Sequence, residues 1–509
     1  MVAVTLAAFL PALGNGFTNW DDNVVITGNE QVAAWSFGNT GRIFTSFHYG
    51  LYHPLVTLSF AAEHRLFGFS PYHFHLDNLL IHAANTLLVF ALILMIGGDL
   101  VAAVVTALLF GIHPTRVESV AWAMERKDVL YAFFFFASLL LYLRTNGNRR
   151  LNPDVPTSSK AGIPKHYIVY CNRDVAVSIS SFVCSLLAKA AAITLPFVLL
   201  LLDLVRRRGI DRANLRGKVP YFLLAAIFGV VAVLARIFSG ELTRDPPFGA
   251  ANIFIGSYRL IFYYLARIVW PWGDYALYPG NSFAAKNFIS LPWFYLLAPV
   301  LLILLGLLFH RLFRRDRQVM FCGAFFLVTL LPALGLISVG PFADRFTYVP
   351  AVGIFYLFGL AVARLARRRS VAWRGALWGI LLLLTIALLS ATRQQCGVWR
   401  DGVSLWNRAC QKYPRSIEAL TMRGFAYAEQ GDFERSVADL GKAIRLAPRR
   451  ADVYNNRGII YGRRGETAKA LWDFDQALRL KPDDPAAKHN RQNVIIILNS
   501  MRNFDRIKP

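Results

Sequence analysis

The sequence predicts an all-α protein in two parts: a polytopic helical bundle in a membrane over residues 1–392 and a soluble helical-repeat domain over 393–509. Three observations carry this. Hydrophobic residues make up 55% of the 509-residue chain and charged ones only 17%, where a soluble domain runs nearer a quarter charged. The apolar residues gather in long segments that stop near residue 392, and the remainder repeats itself at a fixed interval. Disordered and fibrous chains are excluded by the same composition.

Met1 to Leu13 is apolar but shorter than the roughly 20 residues that cross hydrocarbon, and reads as a first span cut short at the sequence boundary. Residues 14–75 form a first outer loop rich in aromatics and His. Apolar segments follow at about 77–96, 100–112, 129–143, 176–204, 219–238, 254–270, 291–310, 319–339, 350–366 and 372–391, so about eleven or more membrane helices are expected. The formal net charge of +24 sits largely in short basic runs between them: Arg206-Arg207-Arg208, Arg311 with Arg314-Arg315, and Arg367-Arg368-Arg369. Basic runs of this kind mark cytoplasmic ends of spans, and nucleic acid is not the expected partner.

The loop 144–173, with six Lys and Arg, is cytoplasmic on the same argument, so 176–204 must go out and return as two short helices with Lys189 near the outer tip. Segment 254–270, with Arg259 and Arg267, suits a helix lying at the interface. Following this parity, the 14–75, 111–128 and 340–349 loops and the C-terminal domain share the outer side. The five cysteines (Cys171, Cys184, Cys322, Cys396 and Cys410) show no metal-ligand spacing and imply no disulfide framework.

Beyond residue 400 the chain repeats every 34 residues. Gly424 returns as Gly458, Tyr427 as Tyr461, Gly431 as Gly465, Ala443 as Ala477 and Pro448 as Pro482. This is the tetratricopeptide period, two antiparallel helices per repeat. Two full repeats are expected at about 417–450 and 451–484, after a half repeat at 400–413 and before a capping helix at 485–500. Such stacks bind peptides or neighbouring domains.

Asp21-Asp22, just after the first apolar segment, could supply a general base or hold a divalent cation, Mg or Mn; an exposed turn or cap explains the pair equally. His75, Asn78 and His82 share one helical face, which must point into the bundle, where interhelical hydrogen bonding is the plainer role. His113, Glu118, Arg126 and Asp128 lie in a charged outer loop, Lys189 between two apolar halves, and Arg345 and Tyr348 in the next outer loop. A lone intramembrane lysine needs an anion, a carboxylate or water. Lys189, Arg126 and Arg345 could converge on a phosphate. Zinc is not expected, since no HxxxH spacing occurs.

Taken in order, Phe17-Thr18-Asn19-Trp20-Asp21-Asp22-Asn23-Val24-Val25-Ile26, the Tyr52-His53-Pro54-Leu55 segment, His75-Leu76-Asp77-Asn78-Leu79-Leu80-Ile81-His82, His113-Pro114-Thr115-Arg116-Val117-Glu118, Glu125-Arg126-Lys127-Asp128, Leu187-Ala188-Lys189 and Arg345-Phe346-Thr347-Tyr348-Val349-Pro350 resemble the transmembrane and tetratricopeptide repeat-containing proteins over nearly the whole chain. The resemblance implies a GT-C-type membrane glycosyltransferase that moves a sugar, mannose in the animal members, from a polyprenyl-phosphate carrier to a protein hydroxyl. The acidic base would be Asp21 or Asp22. Arg126, Lys189 and Arg345 match positions that would hold the carrier phosphate, and His53, an expected substrate contact, stands where many relatives have Arg. His75, His113, Glu118, Asp128 and Tyr348 complete the expected substrate contacts, with no certain cofactor. The partners implied are the lipid-linked sugar, membrane lipids, and a protein or peptide acceptor engaged by the repeats. Compact loops and an Ala/Arg-rich composition point to a bacterial inner membrane with periplasmic repeats; in a eukaryote the outer side would be the endoplasmic reticulum lumen. Two other readings stay open: an inert membrane scaffold whose repeats recruit a partner, and a transporter, which the lack of an inverted repeat disfavours.

Overall fold

A computed structural model describes residues 1–48, 50–148, 165–206, 212–239, 250–272, 293–334, 342–367 and 370–507. Among them the regular structure is helical, joined by turns and short loops, with one isolated bridge between His48 and Leu51. Its described residues divide into a membrane unit (within 1–16 and 21–397) and a repeat unit (17–20 and 398–507).

Five helices of the described residues are long and apolar enough to cross a membrane: Pro71–Gly97, Ala123–Thr145, Asn214–Phe238, Tyr295–Phe313 and Val371–Trp399. Leu100–Ile112 with Pro114–Ala121 makes a sixth if its 56° bend falls within one span. The sequence expectation of about eleven is larger, partly because Val2–Gly14, Ala190–Val205 and Arg317–Ala333 are apolar helices too short to meet the same requirement. Of the basic runs, Arg207, Arg208, Arg368 and Arg369 lie outside the described residues, as does most of the 144–173 loop.

Two sequence expectations are met closely. The helix Lys165–Ala188 stops at Lys189, a 3-10 turn covers Ala190–Thr194, and a second helix runs Leu195–Val205, with Pro196 at its first turn. Pro is favoured there because the missing N–H would be unpaired anyway. The polar face of Pro71–Gly97 is buried: His75, Asn78 and His82 are all inside, and Asn85 continues the row one turn on. Segment 254–270 is a single helical stretch, Ala250–Val269, that widens into a π segment at Arg259–Leu265. Its two arginines turn inward rather than toward headgroups: Arg259 is 2% exposed over the Phe342 ring, and Arg267 pairs with Asp344 at 2.8 Å.

The 3.6-residue pattern does not announce the ties between helices. Lys218 and Asp203 form a buried ion pair, and the Tyr142 hydroxyl donates to the same carboxylate at 2.9 Å. Close helix crossings depend on glycine: a Cβ at Gly353 would stand 2.4 Å from the Cys322 carbonyl, and one at Gly359 2.6 Å from that of Ala102. In an apolar solvent such small residues let backbones touch. Gly353→Ala is therefore expected to cost about 1–3 kcal/mol by overpacking, measured as a lowered melting temperature in detergent.

In the repeat unit, helices Ile417–Glu429 and Phe433–Leu446 are followed one period later by Ala451–Arg463 and Thr467–Leu480, with Gly402–Lys412 before and Pro485–Ile507 after. Asp401, Ser416 and Asp432 cap their helices, accepting from the backbone N–H three residues on. Such caps are worth about 1 kcal/mol each. Gly424 and Gly458 sit where the paired helices touch: a Cβ there would meet Leu440 at 3.1 Å and Phe474 at 2.7 Å. Gly431 and Gly465 both take φ 80°, a turn that favours glycine.

A further repeat feature pairs helices by charge. Arg423 grips Asp439 with two bonds of 2.7 Å, and Arg457 grips Asp473 with two of 2.8 Å, at one period's remove. Asp473 is fully buried. Arg457→Met would strand that carboxylate and is expected to destabilise the repeat unit by roughly 3 kcal/mol, read from the far-UV melting curve.

Candidate active site

A cluster of charges forms within the membrane unit from loops far apart in sequence. The bend after Ile112 delivers Glu118 and Glu125, the start of the following helix delivers Lys127 and Asp128, the break between two half-helices delivers Lys189, and the 3-10 turn Asp344–Thr347 delivers Arg345. Arg345 bridges two carboxylates: its guanidinium pairs with Glu118 and lies 3.1 Å from Glu125, while its N–H donates to Glu118 at 3.1 Å. The same guanidinium rests over the rings of Trp122 and Phe346, 5.5 and 5.0 Å from their centroids. Lys127 lies 3.0 Å from Glu125, and Lys189 pairs with Asp128, whose other oxygen accepts from Ser119 at 2.9 Å. Lys189 lies outside a regular helix because the chain ends one helix at Ala188 and begins the next turn at Ala190.

Asp21 reaches this cluster; its neighbour does not share its role. Asp22 is fully buried and its carboxylate accepts from the Met124 N–H at 3.0 Å, which fastens the 123–125 turn. Asp21 remains partly exposed. Burial pushes its carboxyl above the ordinary 3.8; Lys127 and Arg345 pull it down, and Glu125 pushes it up. His53, at the start of the helix Pro54–Phe67, is pushed down to about 3 by burial and by the cations Lys127 and Lys189. Its imidazole is therefore neutral at physiological pH. Such a ring can donate or accept one hydrogen bond but brings no charge to an anion.

The other residues singled out from the sequence lie elsewhere. Arg126 does not join Lys189 and Arg345: it turns between the helices Pro54–Phe67 and Pro71–Gly97, donating to Asn78 at 2.9 Å, to the Phe74 carbonyl at 3.0 Å and to Glu63 at 2.5 Å. The rings of Phe60 and Phe74 cover it. His75 is buried and donates to the Gly16 carbonyl at 3.4 Å. His113 is buried, donating to the Ile268 carbonyl at 3.1 Å while its other nitrogen faces Thr115. Tyr348 is buried, with its hydroxyl donating to His82 at 2.6 Å and accepting from Asn85 at 3.1 Å. Arg116, fully buried, donates to the Thr347 and Tyr348 carbonyls and so fixes the turn that carries Arg345. These four candidates, Arg126, His75, His113 and Tyr348, thus shape the frame around the cluster.

The sequence motifs contain Arg116, Glu125 and Lys127 without assigning them to the site, and they do not include Glu63. The alternation of sign in Glu125-Arg126-Lys127-Asp128 was the available signal, since successive residues on a helix point about 100° apart. No group of three or more His, Cys, Asp or Glu side chains that could hold a metal ion occurs among the described residues. One oxygen of the Asp22 carboxylate is taken by the Met124 N–H.

Comparison with known proteins bears on both parts of the chain. A TPR repeat model matches residues 424–465 and a tetratricopeptide repeat model matches 451–484. The chain is 35% identical over 150 residues to the human protein O-mannosyl-transferase TMTC2, covering 28% of this chain and 18% of that protein. It is 24% identical over 468 residues to the Drosophila melanogaster protein O-mannosyl-transferase Tmtc3, covering 78% and 48%. A Caenorhabditis elegans protein O-mannosyl-transferase is 23% identical over 469 residues, covering 88% and 62%. The chain spans less than two thirds of each of these relatives. The kinship read from the ordered motifs, and the repeats read from the 34-residue period, are borne out by these matches.

Proposed function

We propose that this chain is an integral-membrane glycosyltransferase that moves a sugar, mannose or another hexose, from a polyprenyl-phosphate carrier to a hydroxyl of a protein acceptor, with Asp21 as the base. The names of the relatives support protein O-mannosyl transfer. The observation that carries the chemistry is one partly exposed carboxylate, Asp21, set against Lys127 and Arg345 in a buried cluster.

In the proposed step the Asp21 carboxylate takes the proton of the acceptor hydroxyl as its oxygen bonds to the anomeric carbon. The bond from that carbon to the carrier phosphate breaks, and its electron pair stays on the phosphate oxygen. A single displacement inverts the anomeric configuration. Negative charge grows on the departing phosphate, and preorganised cations stabilise it best where water is excluded. Arg345 and Lys189 supply that charge; Glu118, Glu125 and Asp128 hold both cations in place beforehand. His53, neutral, offers a hydrogen bond nearby. The donor's apolar tail lies among the membrane helices, the repeats engage the acceptor protein, and the site faces the outer side, the periplasm in a bacterial inner membrane.

The pH dependence tests this reading. The base must be ionised, so kcat/KM rises with pH through a midpoint above the ordinary carboxyl value of 3.8. Because the Lys127 cation pulls the Asp21 carboxyl down, Lys127→Gln moves that midpoint further up. An acid limb unmoved by Lys127→Gln, in a variant that still turns over, would remove Asp21 as the titrating base.

A further inference from the structure

The end of the membrane unit that carries the basic runs holds a cleft that the transfer chemistry does not use. Side chains of separate runs tie this end together. Arg206 donates to the Met95 carbonyl at 2.9 Å and to that of Leu143 at 3.2 Å, and Arg317 donates to that of Leu204 at 3.2 Å. Arg364 pairs with Asp316 at 2.5 Å. Basic runs gathered at one end of a bundle mark its cytoplasmic face.

The cleft, about 430 Å³, lies between the helices Leu100–Ile112, Ala351–Arg367 and Val371–Cys396. Its inner wall is apolar: Leu100 and Val101 come from the first helix, and the small side chains of Ala363 and Ala366 from the second. About one turn deeper, Val105, Val362 and Leu377 pack against Val101 and Ala366 and close the seam. The rim is charged. Asp99 caps the first helix, accepting from the Ala102 N–H at 2.9 Å, and its other oxygen takes Arg367 at 2.5 Å. That bond holds one edge of the guanidinium and leaves the side chain 74% exposed. Arg374 lines the cleft from the third helix, and among the described residues its guanidinium has no hydrogen-bond or ion-pair partner. Trp378 stands one turn on, on the same face, and is half-exposed. Two cations against one carboxylate leave the rim net positive.

We propose that this cleft binds one anionic phospholipid of the cytoplasmic leaflet, its phosphate between Arg367 and Arg374 and its acyl chains along Ala363, Ala366 and Trp378. The guanidinium fork matches phosphate oxygens. Basic pockets between membrane helices on the cytoplasmic side suit acidic headgroups, and Trp sits at headgroup level. The occupant is a lipid rather than free phosphate because the wall below the arginines is apolar. Leu382 and Ile386 continue the Trp378 row toward hydrocarbon, and both are exposed. A free anion would leave that wall against water, whereas acyl chains cover it. The inference is independent of the transferase reading, and its test needs no turnover.

The full chain, purified in neutral detergent, is mixed with equal amounts of phosphatidylglycerol and phosphatidylcholine of the same acyl chains, and native mass spectrometry counts the lipids retained. The variants are Arg374→Gln, Ala366→Leu and Arg315→Gln, with thermal melts in the same detergent to show that each is folded. Arg374 is exposed and makes no bond that its loss would break. Arg315 is exposed near the same end but outside the cleft, so its variant removes equal charge without touching the site. The expected result is one phosphatidylglycerol retained in preference to phosphatidylcholine, held about 5- to 10-fold more weakly in Arg374→Gln and as in wild type in Arg315→Gln. Ala366→Leu, which fills the apolar wall, weakens retention too, and excess inorganic phosphate does not displace the lipid. Equal retention of the two lipids overturns the proposal. Equal weakening in Arg315→Gln and Arg374→Gln overturns it as well, since diffuse surface charge then suffices. Displacement by inorganic phosphate, with Ala366→Leu unaffected, would leave an anion site and no lipid site.

Discussion

Asp21→Asn is expected to lower sugar transfer about 10²- to 10⁴-fold, the usual contribution of a positioned general base, while leaving expression and melting temperature near wild type. The amide is the size of the carboxylate but takes no proton, and Asp21 is only partly buried. Asp22 should behave in the opposite way. Asp22→Asn keeps an oxygen to accept the Met124 N–H and should retain most activity. Asp22→Ala leaves that buried N–H unmatched and is expected to cost about 1–3 kcal/mol of stability. Transfer rates and thermal melts of the three variants check the assignment. Full loss in Asp22→Asn with activity kept in Asp21→Asn would exchange the two roles.

Arg345→Gln is expected to have the next largest effect, on two readouts at once. Arg345 pairs with Glu118 and lies 3.1 Å from Glu125, which is fully buried. Without the guanidinium the two carboxylates lose the cation that joins them, while Lys127 still pairs with Glu125. Breaking one partner of a buried pair typically costs about 3–5 kcal/mol, so the melting temperature in detergent should fall. Loss of one preorganised group on a developing negative charge costs about 10²–10³-fold in kcat. Arg345→Lys should recover part of the stability and less of the rate, because an ammonium cannot span two carboxylates as the planar fork does. The paired variant Arg345→Gln with Glu118→Gln separates the effects: stability should return in part, and activity should not.

Much of the fold was legible because it is written in composition and period. Long apolar runs predicted a membrane bundle, and the period of 34 predicted paired helices that the repeat models match. Lys189 was legible as a break, since a lone lysine between apolar halves must reach an anion or water, and it reaches Asp128. The inward face of His75, Asn78 and His82 followed from helical spacing. Of the roughly eleven spans expected, five helices among the described residues are long and apolar enough to cross a membrane, because several other apolar segments form short or bent helices.

The site was legible as a set of loops and not as a set of contacts. Asp21 and Asp22 are adjacent, and only the fit of one carboxylate to the Met124 N–H distinguishes them. Arg126 and Lys127 are adjacent too, yet one turns to Glu63 and Asn78 and the other to Glu125. Glu63, the partner that draws Arg126 away, stands in an amphipathic helix with nothing in its spacing to mark it. The Asn19 hydrogen bonds to Trp406 and Met422 join groups about 400 positions apart in sequence, where no periodicity operates.

The most direct measurement is transfer by the purified full chain in lipid vesicles, with radiolabelled polyprenyl-phosphate hexoses as donors and a hydroxyl-bearing protein pool as acceptor, reading both product and anomeric configuration. Transfer from one of these donors, with inversion at the anomeric carbon and loss in Asp21→Asn, is the expected result. A folded protein that transfers from none of them, or one that transfers with retention, would contradict the account and leave the bundle as a scaffold for its repeats or as an enzyme working through a covalent intermediate.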